Sequence, residues 1–239
     1  MVKLDIVDFH SHILPRADHG SNSLDTSLKQ LRFASLAGVK RIVATPHFYP
    51  HRHTLRAFLD RREESYYKLK SHLTEDMPKI RLGAEVLICD NIERFLGLEK
   101  LCLSGTNVLL LELPFNDFNE NFCTSVENLI SKGFDIVLAH ADRYPPENIE
   151  RLVELGATIQ INAVSVATFF KNKQIYNWAE RGLITALGSD IHNVDPIAYK
   201  KYLKAQIKLS DYIHEIKARS DAIWQSAKSY REIYDYIHS

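Results

Sequence analysis

The chain has 239 residues and a mass of 27.5 kDa, with 45% hydrophobic and 25% charged residues. That balance excludes a disordered, collagenous or disulfide-stapled polypeptide. Thirty Lys+Arg against thirty Asp+Glu give a formal net charge of zero, so no overall field draws the molecule to nucleic acid or anionic lipid.

Met1-Val2-Lys3-Leu4-Asp5 at the start lacks an apolar h-region. Alternating short apolar runs and longer amphipathic stretches follow. Strands are predicted over residues 4–9, 41–44, 80–86, 108–113, 135–139, 158–161 and 184–188. Helical patterns lie between them at 24–37 (apolar Leu24, Leu28, Leu31 and Leu36), 56–73 and 124–132, and Gly38, Gly133, Gly156 and Gly182 stand where helices should close. The stretch 89–106 is less regular. After Ala198 the pattern is helical, with Tyr202, Ile207, Tyr212, Ile216, Ile223 and Tyr230 as expected buried points. No repeat or linker interrupts the pattern, so residues 1–239 read as a single domain of parallel α/β type with C-terminal helices. No apolar run is long enough to span a bilayer. Cys89, Cys102 and Cys123 form no C-x-x-C pair. The expectation is a cytoplasmic chain with reduced, packing thiols and no membrane insertion.

Eleven histidines are the unusual count, and their phase is informative. Asp8, His10 and His12 fall at the end of the first predicted strand and His47 after the second. Glu85 and Glu112 lie near the ends of the third and fourth, His140 follows the fifth, and Asp190 and His192 follow the last. In a closed parallel barrel these strand ends converge on one face. His-x-His and Asp-x-His spacing puts both side chains of each pair on one side of an extended chain. Any one of these residues alone would more often be an ordinary surface or hydrogen-bonded group. Together they are an imidazole and carboxylate set without cysteine, larger than a closed structural cage needs, which suits two or three bridged ions with open positions. His51 and His53 read as a polar loop that could overhang the site. His72, His214 and His238 read as helical surface residues.

A carboxylate such as Glu85 can bridge two ions, and paired metals activate water against a phosphoryl group. Arg143, three residues after His140, is placed to grip a phosphate oxygen, or else to pair with Asp142 or Glu147. Rival nucleophiles are absent. The residues six past the cysteines are Phe95, Val108 and Leu129 rather than arginine, and there is no nucleophile elbow or phosphate-binding P-loop.

Asp8-Phe9-His10-Ser11-His12, Ala44-Thr45-Pro46-His47, Gly83-Ala84-Glu85, Leu111-Glu112-Leu113, Ala139-His140-Ala141-Asp142-Arg143-Tyr144 and Ser189-Asp190-Ile191-His192-Asn193 occur in this order. The set, covering roughly residues 4–197, resembles the polymerase-and-histidinol-phosphatase (PHP) superfamily. It is most similar within it to the bacterial capsule-associated metal-dependent protein-tyrosine phosphatases. The resemblance implies a distorted seven-stranded TIM-like (β/α) barrel and three divalent ions, usually manganese, while the mixed imidazole and carboxylate set itself favours Mn, Fe or Zn over Mg. It also implies dephosphorylation of the tyrosine-bearing tail of a capsule-assembly kinase. Carried over by position, one ion takes His10, His12, Glu85 and Asp190. A second shares Glu85 and adds Glu112 and His140, and a third takes His19, His47 and His192. Arg143 holds phosphate, beside Asp142 where the family usually has glutamate. Two departures stand out: His19 replaces a family aspartate, and no arginine occupies the family's second phosphate-binding position, here Ile197, leaving Arg16, Arg52 and Arg56 as candidates. A small-molecule phosphatase of histidinol-phosphate type and a non-catalytic metal-stabilised interaction domain are the competing functions. Hydrolysis of p-nitrophenyl phosphate with Mn separates the last from the first two, and phosphotyrosine peptide against histidinol phosphate separates those two.

Overall fold

The computed structural model describes residues 5–115, 118–228 and 230–237, the side chains of 230 and 231 apart. Leu4 and His238, and the side chain of Tyr230, lie outside this set.

The strands are β1 (Asp8–Ser11), β2 (Arg41–Ala44), β3 (His47–Phe48), β4 (Lys79–Leu82), β5 (Glu85–Leu87), β6 (Val108–Glu112), β7 (Asp135–Leu138), β8 (Thr158–Asn162) and β9 (Ile184–Gly188). All pairings are parallel. The helices are α1 (Leu24–Leu36), α2 (Leu55–Lys70), α3 (Glu120–Ser131), α4 (Pro146–Glu154), α5 (Ala163–Val166), α6 (Lys173–Glu180), α7 (Ala198–Lys208), α8 (Ile213–Gln225) and α9 (Tyr230–Ile237). Ser23, Thr54, Asn119 and Asn172 cap α1, α2, α3 and α6 by accepting first-turn amide hydrogens. The four predicted closing glycines all have positive φ.

The parallel α/β arrangement with C-terminal helices is as expected, and the distorted barrel is laid out among the described residues as two sheets that are not hydrogen-bonded into a closed ring, β1-β2-β4 and β3-β5-β6-β7-β8-β9. The predicted strand at 80–86 divides: Leu82 pairs with Ala44 of β2, and Glu85 pairs with His47 of β3 and Leu110 of β6. The chain thus changes sheets at Gly83–Ala84, and a two-residue strand at His47–Phe48 exists only because β5 supplies its partner. The other gap, between β9 and β1, is spanned just beyond β9, where the Asp190 amide donates to the His10 carbonyl (2.8 Å) and the His12 amide to the Ile191 carbonyl (3.2 Å).

Strand alternation sorts the core into two parts. Val43, Val108, Leu110, Val137 and Ala186 form one cluster with Val7, Phe9, Leu103 and Ala139, against which Ile223 and Trp224 of α8 pack. Ile42, Leu109, Leu111, Ile136, Leu138 and Leu187 belong to the other, shared with the surrounding helices. Burial on both faces explains the unbroken apolar strands, each such side chain contributing about 1.5–3 kcal/mol. Ile207 (54% exposed) is not buried as expected, and Leu36 of the apolar set in α1 is exposed as well (78%). Each lies five residues beyond a buried anchor, Tyr202 and Leu31, hence about 140° around its helix.

Candidate metal centre

The site lies at the C-terminal ends of the strands. His10 is in β1 and His12 follows it; Glu112 ends β6; His140 follows β7; Asp190 and His192 follow β9. Glu85 and His47 begin rather than end their strands, because the sheet change shortens both. His140 and Asp190 take positive φ (33° and 49°), an unusual conformation for side-chain-bearing residues that turns each back over the strand ends. At Gly188 a Cβ would come within 2.6 Å of both the His10 Cβ and the Gln160 amide nitrogen, so only glycine lets β9 approach β1 this closely.

Glu85 is the centre of the arrangement. Its Oε2 lies 3.1 Å from His10 Nε2, 3.2 Å from His12 Nε2 and 2.9 Å from His47 Nδ1, and its Oε1 lies 2.8 Å from His140 Nε2. Asp190 Oδ1 is 3.6 Å from His10 Nε2 and 3.4 Å from His12 Nε2. Glu112 is 3.6 Å from His47 and 3.7 Å from His140. Three groups bring their donor atoms within 4.8 Å of one another: His10/His12/Glu85, His47/Glu85/Glu112 and His12/His47/His192. Glu85 Oε2 and both ring nitrogens of His47 are buried without a hydrogen-bond partner. A buried, nitrogen- and oxygen-only donor set with unsatisfied lone pairs fits borderline divalent cations such as Mn, Fe or Zn.

The grouping differs in part from the one carried over by resemblance. His12 joins His47 and His192, whereas His19 is exposed and stacks beside His47 and His192 at ring-centroid distances of 4.7 and 4.9 Å. His47, rather than His140, completes the group with Glu85 and Glu112, while His140 contacts the opposite Glu85 oxygen.

Electrostatics follow from crowding. Burial alone would lower the pKa of His47, but the Glu112 and Glu85 carboxylates outweigh it and hold it up to about 9. For His10 and His12, too, carboxylates overcome burial and raise the pKa. In Asp190, neighbouring His10, His12 and Arg143 overcome burial and hold the carboxyl well below its usual range. His192 goes the other way, down to about 4, through burial and the adjacent His12. Neutral nitrogens and ionised oxygens are the forms a cation needs.

Three residues outside the predicted set orient the donors. Gln160, fully buried on β8, accepts from the His140 amide (2.8 Å), lies 2.9 Å from His10 Nδ1 through the same Oε1, and donates to Asn162 (3.0 Å). Asn162 in turn donates to Asp190 (3.0 Å). Asp18 lies 2.6 Å from His12 Nδ1 and accepts the amides of Gly20 and His47, an outer carboxylate that fixes an imidazole ligand. The Asp18-His19-Gly20 sequence offers a weak hint of Asp18, and Gln160 has none. Asp8 does not join the donors. It is buried, accepts from the Ser189 amide (2.7 Å) and the Tyr199 hydroxyl (3.0 Å), and is pushed up to about 6 by burial.

Arg143 pairs with Asp190, not with Asp142 or Glu147; Asp142 instead accepts from the Asn162 amide and the Ser165 hydroxyl. Arg143, Asp190 and His192 line a cleft of about 260 Å³ that extends to Lys201 on α7. Ile197 is exposed and does not line it. Nor do the three arginines considered as replacements: Arg56 pairs with Asp60, Arg52 lies over the Tyr49 ring, and Arg16 lines a different groove. His53 accepts the Tyr49 amide; His51, His72 and His214 are exposed. Burial raises the pKa of all three thiols, keeping them protonated.

Residues 6–205 match the model of the family described as capsular polysaccharide synthesis, CpsB/CapC. Over 204 residues the chain is 31% identical to the tyrosine-protein phosphatase YwqE of Bacillus subtilis, covering 79% of this chain and 78% of that one. It is 28% identical over 211 residues to the tyrosine-protein phosphatase CpsB of Streptococcus pneumoniae, covering 80% and 84%. In three dimensions it matches a crystal structure from work on YwqE and CpsB, "unique metal-dependent tyrosine phosphatases", with a TM-score of 0.75 and 26% identity, covering 94% of this chain and 96% of that one.

Proposed function

The chain belongs to the CpsB/CapC capsular polysaccharide synthesis family, and from that premise we propose that residues 1–239 form one metal-dependent phosphatase domain that hydrolyses protein phosphotyrosine. The proposed substrate is the tyrosine-bearing tail of a capsule-assembly kinase in the cytoplasm. Three divalent ions, most simply manganese, are the proposed cofactors.

The observation that carries the reading is the position of Glu85, one buried carboxylate in contact with His10, His12, His47 and His140 at once. Such a group could serve as a ligand to more than one cation. His10, His12, His47, Glu85, Glu112, His140, Asp190 and His192 would hold the ions, with His19 at the exposed margin. When bound, the ions supply Lewis acidity toward a phosphoryl group and water.

The chain's own residues do the rest. Arg143 rests on Asp190 at the cleft wall, placed to turn its free N–H groups toward a phosphate oxygen as the substrate enters. Asp18 and Gln160 fix the rings of His12 and His10, so ligand geometry is set before substrate arrives. A tyrosyl leaving group, with a solution pKa of about 10, is a far weaker base than an alkoxide and asks little of a general acid. The test is hydrolysis of p-nitrophenyl phosphate and a phosphotyrosine peptide by chelated and Mn-reloaded protein. Full activity after exhaustive chelation would refute metal dependence, and turnover of histidinol phosphate without the peptide would refute the substrate class.

A further inference from the structure

A second concave surface lies across the β1–α1 loop from the metal centre. It is a groove of about 440 Å³ between the start of α1 and the outer face of α2, lined by Arg16, Arg61, Lys68, His72, Ser23 and Ser71 among others. Its charge is distinctive. Among the described residues, Arg16, Arg32, Arg52, Arg61 and Arg81 are the arginines that form no ion pair with a carboxylate. Arg52 lies over Tyr49, and Arg81 lies over Trp224 and donates to main-chain carbonyls. Of the rest, Arg16 and Arg61 line this one groove. Arg61 Nε is buried without a hydrogen-bond partner. Arg16 donates through Nε to the Asn22 carbonyl (3.1 Å). The only acidic side chain lining the groove, Glu64, is matched by Lys68 at 2.7 Å. Two guanidinium groups therefore remain uncompensated around a concave slot.

We propose that this groove docks an acidic segment of the phosphoprotein substrate, its carboxylates meeting Arg61 and Arg16 while the phosphotyrosine occupies the metal centre. The proposal rests on the phosphatase reading above. Guanidinium forks match carboxylates, and an arginine whose Nε is already dehydrated meets a ligand at reduced desolvation cost. A peptide suits the slot better than a membrane or nucleic acid, since the cations line a concavity on a chain of zero net charge rather than a broad basic face. Arg16 lies two residues before Asp18, which contacts His12, so a short peptide can engage both sides of the loop.

The experiment uses Mn-loaded full-length protein, p-nitrophenyl phosphate, and two phosphotyrosine peptides of equal length with Glu-rich or Ala/Ser flanks. Arg61→Glu is expected to raise KM for the acidic peptide about fivefold, leaving the neutral peptide and p-nitrophenyl phosphate within about twofold; Arg61→Lys should recover most of the loss. The acidic preference should also shrink with added salt. Equal effects on both peptides, or none, overturn the proposal. So does loss of binding to phosphatidylserine vesicles in Arg61→Glu with peptide kinetics unmoved, which would assign the groove to lipid. If no phosphomonoester is hydrolysed at all, the phosphatase reading fails; calorimetry with the unphosphorylated acidic peptide then still tests the groove, and absence of binding refutes it.

Discussion

Gln160→Leu removes a side chain that ligates nothing yet should cost both stability and metal. The carboxamide oxygen serves the His140 amide at 2.8 Å and His10 Nδ1 at 2.9 Å, and the residue is fully buried. Leucine has similar volume, so little cavity results. The loss is of an acceptor: the His140 amide and the His10 ring N–H are left buried and unpaired, at about 1–3 kcal/mol each. The metal-free variant should therefore be less stable by roughly 2–6 kcal/mol in urea unfolding, with an unchanged m-value. Release of the His10 ring and the Asn162–Asp190 contact should weaken metal binding by about 10- to 100-fold, the usual effect of losing an outer-layer partner. Urea titration followed by metal quantification by plasma mass spectrometry measures both. Gln160→Glu, which keeps an acceptor, should lose less stability than the leucine variant. Wild-type stability and metal affinity in Gln160→Leu would refute the assignment of Gln160 as the residue that orients His10.

Glu85→Gln should remove most activity and at least one metal equivalent, since a neutral amide cannot bridge two cations; full occupancy by mass spectrometry with wild-type turnover would remove Glu85 from the centre. Arg143→Ala should lower kcat/KM about 10- to 100-fold with metal content unchanged, the worth of a charge-assisted contact. Lys201→Ala should raise KM several-fold while Ile197→Ala does not, because Lys201 and not Ile197 lines the cleft; equal effects would contradict that placement. Metal uptake should depend on pH with a definite sign. His47 is held up to about 9 against an ordinary 6.5, and only neutral imidazole binds metal, so affinity rises from pH 6.5 to 9 and binding releases protons, visible as a buffer-dependent enthalpy. In the metal-free protein the same raised pKa contributes stability below pH 6.5 that fades as pH passes 9. A pH-independent affinity over that range would refute the shift.

The convergence of these imidazoles and carboxylates was legible in the sequence because parallel strands deliver their C-terminal ends to one face, and His10, His12, Glu112, His140, Asp190 and His192 sit at or just past such ends. Strand identity was legible for the same physical reason: segments buried on both faces must be apolar throughout, as 108–111 and 136–139 are. The open sheet was not, because nothing local in 80–86 marks the point where the chain leaves β2 for β3 and β6; that is fixed by which neighbours accept the ladder hydrogen bonds. Nor could spacing allot donors to groups. His12 and His192 lie at opposite ends of the chain yet stack at 4.1 Å, while His19, near in sequence to His12, is exposed and stacks on His47 and His192 at the margin. Gln160 reaches His10 across 150 positions and Arg61 shares a groove with Arg16 across a loop. Which side chains gather on the one face is a property of residue type and strand phase, both written along the chain. Which partner each one faces depends on register between distant strands and on which helix covers which edge, and those are settled only when the whole core packs.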